Sequence, residues 1–253
     1  MVKIPCRHHE QTRKENISMN IACSIITLLL VAGDVPAHVS FLLGTASVER
    51  NGVRYRAVLN ASLQVNDIVT TGDESECEIT FGTYSLLRLG PNSSIRIERK
   101  EETKQGVFHR IFASLGEIVT KVVALGKDDE YEMRTDAAQA FIRGTTFKTN
   151  IDADGNSAFS VFEGKIAVKS MLEGAREILL DTGFSSQIAR GQLAPVVEKL
   201  SDLEIAAFQD RFSDFLNKGA VLDSLRSTFE DKIEDKKEDI KDKARDKLEG
   251  LFK

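Results

Sequence analysis

The stretch TDAAQAFIRGTTFKTNIDADGNSAFSVFEG, running from Thr135 to Gly164, decides how this chain folds. Two apolar, β-prone runs, Ala138–Phe147 and Ala158–Phe162, flank the segment Asp152-Ala153-Asp154-Gly155-Asn156. Asn, Asp and Gly supply the positive φ that a primed turn requires at little steric cost, so Asp-Gly between such runs predicts a β-hairpin. Gly144 interrupts the first run, where glycine is unfavourable unless a bulge, a bend or a close backbone neighbour requires it. Arg143 sets a permanent cation beside that bend. One reading is structural: the arginine pairs with an acid such as Glu163 while Gly144 allows a tight turn. The other makes Arg143-Gly144-Thr145 an interaction feature. The acidic loop superficially resembles a calcium site with Glu163 twelfth, but that loop needs glycine at its sixth position, where Ser157 stands. Hairpin geometry accounts for the same residues, and no metal site is expected.

Working outward, the same pattern continues on both sides. Ala46–Arg50, Asn51-Gly52 and Val53–Arg56 read as a hairpin with a type I′ turn. Gln64–Thr71, Cys77–Phe81, Tyr84–Leu89 and Ser94–Arg99 alternate between turn residues. Phe108–Ser114 and Glu117–Val123 read as two strands around Leu115-Gly116, and Glu130–Arg134 leads into the hairpin. Lys165–Met171, Glu177–Leu180 and Phe184–Ala189 follow it. The fold expected is mainly β: an antiparallel-rich sandwich or β-helical stack of about 12–14 short strands. No helical pattern separates these strands, which excludes a parallel βαβ architecture.

After Pro195 the period changes to that of helices, giving two C-terminal α-helices. Ser201-x-x-Glu204 is a capping box. Leu203, Ala207, Phe208, Phe212, Phe215 and Leu216 recur at helical spacing, and Asn217-Lys218-Gly219 predicts the stop. A second helix is expected from about Ala220 to Glu249. Phe229, Ile233, Ile240, Ala244, Leu248 and Leu251 form its narrow apolar stripe, bordered by lysines and one arginine, with acids opposite. Such a stripe suits docking or self-pairing. Basic margins also suit a lipid surface, giving peripheral membrane contact through 220–251 as the alternative.

Four segments now carry a resemblance. A-F-I-R-G-T-T-F (140–147), the D-x-D-G turn, V-F-E-G-K-I-A-V (161–168) and D-T-G-F-S-S-Q-I (181–188) resemble the FecR-type domain of iron-dicitrate sensor regulators. L-Q-V-N-D-I-V-T-T-G-D-E-S (63–75) and L-L-R-L-G-P-N-S-S-I-R-I (86–97) are similar to the earlier half of that domain. The resemblance spans roughly Phe41 to Arg190. It implies an extracytoplasmic, mostly β, non-enzymatic domain; the best-known members pass an envelope signal to a sigma factor. It makes Arg143, Gly144, Thr145, Phe147, Glu163 and Gly164 the candidate motif residues. Only about 20 residues precede the apolar segment, too few for the cytoplasmic sigma-binding domain of those regulators, so direct sigma control is not expected.

The amino terminus reads as a targeting signal. Lys3, Arg7, Arg13 and Lys14 precede the 13-residue apolar run Ile21–Gly33, and Val35-Pro36-Ala37 resembles a cleavage site. The run is short of the roughly 20 residues a transmembrane helix needs. Export with cleavage after Ala37 is therefore expected, the alternative being an anchor at 21–33; Met19 is a second candidate start. The organisation is a signal peptide (1–37), a β domain (38–190), a linker (191–200) and a helical tail (201–253).

Composition narrows the function. The formal net charge of −5 and the lack of tryptophan argue against a duplex-binding surface or a base-stacking platform, so no nucleic-acid partner is expected. Cys77 is the single cysteine left after processing and reads as a buried small hydrophobe. Of the four histidines, His8 and His9 leave with the signal, and His38 and His109 are too few for a triad or a zinc site. No phosphate-cradling glycine loop is present, and no catalytic residue or cofactor is expected. The reading is a non-catalytic binding, regulatory or scaffolding module of the cell envelope, with an envelope protein as partner. A self-associating surface or membrane-peripheral protein is the alternative.

Overall fold

The computed structural model describes residues 37–102, 106–123, 128–224 and 241. Within them the two-residue alternation becomes seventeen strands. The first nine are β1 (Ala37–Leu43), β2 (Ala46–Arg50), β3 (Val53–Arg56), β4 (Ser62–Leu63), β5 (Ile68–Thr71), β6 (Glu76–Phe81), β7 (Ser85–Leu89), β8 (Ser94–Glu102) and β9 (Val107–Val122). The others are β10 (Glu130–Arg134), β11 (Ala138–Ile142), β12 (Thr145–Ile151), β13 (Ser157–Glu163), β14 (Lys165–Ser170), β15 (Ile178–Asp181), β16 (Phe184–Ile188) and β17 (Val196–Lys199). Helix α1 spans Asp202–Arg211, and α2 is described over residues 213–224.

The strands form one mixed sheet folded into two layers. One layer runs β4-β1-β6-β7-β9-β12-β13-β16-β17. The other runs β3-β2-β5-β8-β9-β10-β11-β14-β15. Among these pairings β9–β10 alone is parallel. Inward-facing Ile79, Phe81, Leu87, Phe147 and Phe159 from the first layer meet Val48, Ile95, Ile111, Met133 and Val168 from the second in one core. Strand β9 belongs to both layers. It pairs with β8 up to Leu115 and with β12 from Gly116 onward. At Gly116 φ is +92°, and a Cβ there would sit 2.6 Å from Ser93 Cα. The two strands expected around Leu115-Gly116 are thus one bent strand, and glycine makes a corner instead of a reversal.

Corners also correct the opening stretch. Ala138–Phe147 is two strands, not one: β11 lies in the second layer, β12 in the first, and the chain crosses at Arg143-Gly144. The hairpin itself is β12–β13. Its loop is organised by Asp152, whose Oδ1 accepts from the amides of Asp154 and Asn156, both at 2.9 Å. By contrast Asn51 and Gly52, at φ 53° and 77°, make the expected type I′ turn. Strands β1 and β4 were not legible in the pattern, and the stretch read as a linker, 191–200, holds β17.

The first helix starts as expected: Ser201 Oγ accepts from the Glu204 amide at 3.2 Å, and Glu204 Oε2 accepts from the Ser201 amide at 2.8 Å. It breaks at Phe212 instead of at 217–219; Gly219 lies inside α2, where a Cβ would press on Lys121 Cγ at 2.9 Å. Leu203 is 79% exposed and does not share the buried face. Phe229, Ile233, Ile240, Ala244, Leu248 and Leu251 lie outside the described residues.

Two buried polar groups behave as their surroundings dictate. Burial and neighbouring Glu78 push the Cys77 thiol up to about 12, which makes it an unreactive core residue. His109 is boxed by Phe81, Tyr84 and Tyr131, with centroids 5.3, 5.8 and 5.7 Å away, and its Nε2 meets no hydrogen-bond partner among the described residues. Burial, reinforced by Lys100, lowers its pKa from 6.5 to about 4. Unfolded, the imidazole takes a proton near 6.5; folded, it holds off until about 4. Its neutral form therefore supports the fold fully above pH 6.5, and that support is lost as the pH falls toward 4, by about 3 kcal/mol. Denaturant titrations across this window should show that slope, and His109→Phe should flatten it while leaving stability at pH 7.5 within about 1.5 kcal/mol of the parent.

Candidate functional site at the seam between sheet and helices

Alternation along β6, β7, β9, β12 and β13 sends every second side chain to the outer face of the first layer. There Leu86 and Val119 point outward yet are buried, because α1 and α2 cover them. Phe208, Phe212 and Phe215 line the covering face of the helices. Phe208 stacks on Phe162 with centroids 3.5 Å apart and planes 5° apart, and Phe212 tilts against Phe208 at 5.0 Å.

Charge completes the seam. Glu78, with its side chain 1% exposed, takes Nε and Nη2 of Arg88 on Oε1, the former at 2.9 Å. Its Oε2 accepts from Lys218 Nζ at 2.7 Å. Aromatic faces of Phe41, Phe212 and Phe215 lie 5.5–5.9 Å from the Arg88 guanidinium, a cation–π enclosure that stands in for lost water. Two further pairs tie helix to sheet: Lys121–Asp223 at 3.2 Å and Arg211–Glu117 at 2.9 Å. Beside the Lys121–Asp223 pair lies a cavity of about 350 Å³ lined by Lys121, Thr146, Phe162, Glu163 and Asp223. Glu163 accepts from Lys121 Nζ at 2.7 Å and Thr146 Oγ1 at 2.8 Å, which holds its carboxyl below the usual range.

The six motif residues separate into four roles. Glu163 joins the seam, where its cation is Lys121. Gly144, Thr145 and Gly164 form the layer crossing: Thr145 Oγ1 donates to Lys165 O at 2.8 Å, and Gly144 and Gly164 both have positive φ. Phe147 is a core residue, fully buried. Arg143 is exposed and borders a different cavity, of about 520 Å³, with Tyr131, Phe141, Lys165 and Leu179. The sequence reading missed Glu78, Arg88, Lys121 and Lys218. Lone charges within apolar runs, Arg88 in L-L-R-L and Glu78 in C-E-I-T-F, were the available signal. The site holds the aromatic face of the chain's own helices against the outer face of the sheet. Among the described residues no group of three or more His, Cys, Asp or Glu is placed to hold a metal ion.

Curated proteins include no match to this chain. Among solved structures, two crystal structures of a provisionally assigned anti-sigma factor from Parabacteroides distasonis are similar, at 16% and 15% identity and a TM-score of 0.46 each. The alignment covers 56% of this chain and 63% of that one, so the chain spans less than two thirds of the protein it matches. The family model described as FecR protein matches residues 67–167, from the buried Asp67 of the β4–β5 loop through the bent β9 and the crossings at Gly144 and Gly164 to β14. Over residues 67–167, then, this chain is similar to the FecR protein family.

Proposed function

We propose that this chain is an exported, non-catalytic regulatory module of the cell envelope that works by contacting other proteins. The FecR match over residues 67–167 is the observation that carries this reading. Export is supported by the basic start, the apolar run at 21–33 and the Val35-Pro36-Ala37 segment. Contact as the mode of action is supported by the outer face of the first layer, which already grips an aromatic helix face in the way peptide-binding grooves do.

Fractionation of cells carrying the carboxyl-terminally tagged chain tests the reading. A product shortened at its amino terminus near Ala37 and recovered in the periplasm is expected. Recovery of the full-length chain in the cytoplasm overturns it.

A further inference from the structure

The second layer ends on two strands that, among the described residues, pair on one side only: β3 with β2, and β15 with β14. Both are four residues long. Natural edge strands are usually guarded by proline, lysine, bulges or a covering element, because unpaired amides and carbonyls template further pairing. Neither strand carries a proline or a bulge, so short length and the charges of Arg54, Arg56 and Asp181 are what guards them. Val53 is 65% exposed and Leu179 is 60% exposed.

The direction of these edges is set by topology. From β3 to β15 the layer takes seven antiparallel steps and one parallel step, the latter at β9–β10. An odd number of reversals leaves β3 and β15 antiparallel to one another. Two copies related by translation along the layer would therefore join β15 of one to β3 of the next as an ordinary antiparallel pair. In the first layer all eight steps are antiparallel, so β4 and β17 run parallel, and β4 has only two residues. The second layer alone can carry the ladder.

Side-chain phase and charge select the register and the partner. Tyr55 lies opposite Val48, which faces the core, so Val53 and Tyr55 continue the inner face. Ile178 and Leu180 do the same on β15, opposite Val168 and Ile166. Setting Val53 against Leu180 and Tyr55 against Ile178 keeps both faces in phase, as a sheet register must. That register places Arg56 opposite Glu177 and Arg54 diagonal to Asp181, within reach of cross-strand pairing. A symmetric β3–β3 junction would oppose arginine to arginine, and β15–β15 would oppose acid to acid.

We propose that the occupant of each edge is a second copy of this chain, β3 of one copy pairing with β15 of the next in an open head-to-tail assembly. This rests on the reading that the module acts by protein contact and is independent of where in the cell it resides. Sedimentation velocity of the purified full chain over rising concentration tests it. Species larger than dimers that grow with concentration and shrink with added salt are expected. The pair R54E/R56E and the pair E177R/D181R should each weaken association roughly tenfold or more, since like charges then face each other at every junction. Mixing the two variants should restore assembly, because an acidic β3 then meets a basic β15 and the native edges meet in turn. Circular dichroism of each variant should match the parent. A parent chain that stays monomeric at high concentration, a closed dimer, or variants that assemble alone as well as the parent would each overturn the proposal; so would a mixture that stays dissociated. The cellular fractionation above can fail without touching this result, and the reverse also holds.

Discussion

Glu78→Leu is expected to destabilise the protein by about 3–5 kcal/mol and to loosen the helices from the sheet. The carboxylate is buried and holds two cations at once, Arg88 from the neighbouring strand and Lys218 from α2. Without it, Arg88 is left 10% exposed among the rings of Phe41, Phe212 and Phe215, with Glu76 3.8 Å away as its remaining anion. An uncompensated buried cation is costly because the interior cannot replace its hydration. Lys218, at 47% exposure, turns to solvent and loses little. Arg88→Met should be costly for the mirror-image reason, softened because Lys218 still serves the carboxylate. Combining the two, Glu78→Leu with Arg88→Met, should recover much of the loss, since an apolar pair in that place no longer requires desolvated charge. Denaturant unfolding of the two single variants and the double variant measures this coupling. Limited proteolysis between β17 and α1 reports whether the helices have come loose. A loss in the double variant equal to the sum of the two single losses would contradict the account.

What could be read from residues alone was what short-range chemistry decides. Asn51-Gly52 needs only its own φ preferences to make a turn, and Ser201 with Glu204 needs only one helical turn to make a cap; both appear as expected. Gly116 and Gly144 announced that the backbone does something unusual, but not what. Whether a left-handed residue reverses the chain or bends it into the other layer depends on which strands lie alongside, and those pairings are long-range. Ala138–Phe147 looked like one strand for that reason: its alternation is nearly continuous, and only the separate partners of β11 and β12 divide it. The seam was less legible still. Glu78 and Lys218 stand 140 positions apart, and nothing near either residue announces the other. Of the proposed motif, Glu163 pairs with Lys121, a cation outside the stretch from which the motif was read. Gly219 lies inside α2 with Lys121 where its Cβ would be, a packing requirement that a C-terminal glycine signal cannot distinguish from a stop.

The layer crossing at Gly164 makes the second large prediction, because a nearby crossing supplies its control. Gly164 and Gly183 have almost the same backbone, φ +79° and +82°, and each carries the chain from one layer to the other. They differ in what surrounds them. A Cβ on Gly164 would sit 2.5 Å from Gly144 O and 3.2 Å from Thr145 Cα, whereas at Gly183 nothing lies within 4 Å. Alanine at either site bears the left-handed penalty, about 1–2 kcal/mol. At Gly164 it must also push apart two backbone crossings, neither of which can swing away as a flexible side chain could, and such overpacking adds roughly 1–3 kcal/mol. Gly164→Ala is therefore expected to cost about 3 kcal/mol or more, and Gly183→Ala no more than about 2 kcal/mol. In thermal unfolding 1 kcal/mol corresponds to about 2–4 °C for a domain of this size, so the two variants should be separated by several degrees. The ordering is the informative quantity, since both proteins share the φ penalty and differ only in contact. Equal losses would mean that the E-G-K segment tolerates a side chain at the crossing, and that the tight approach of Gly144 to Gly164 is not what its glycines are for.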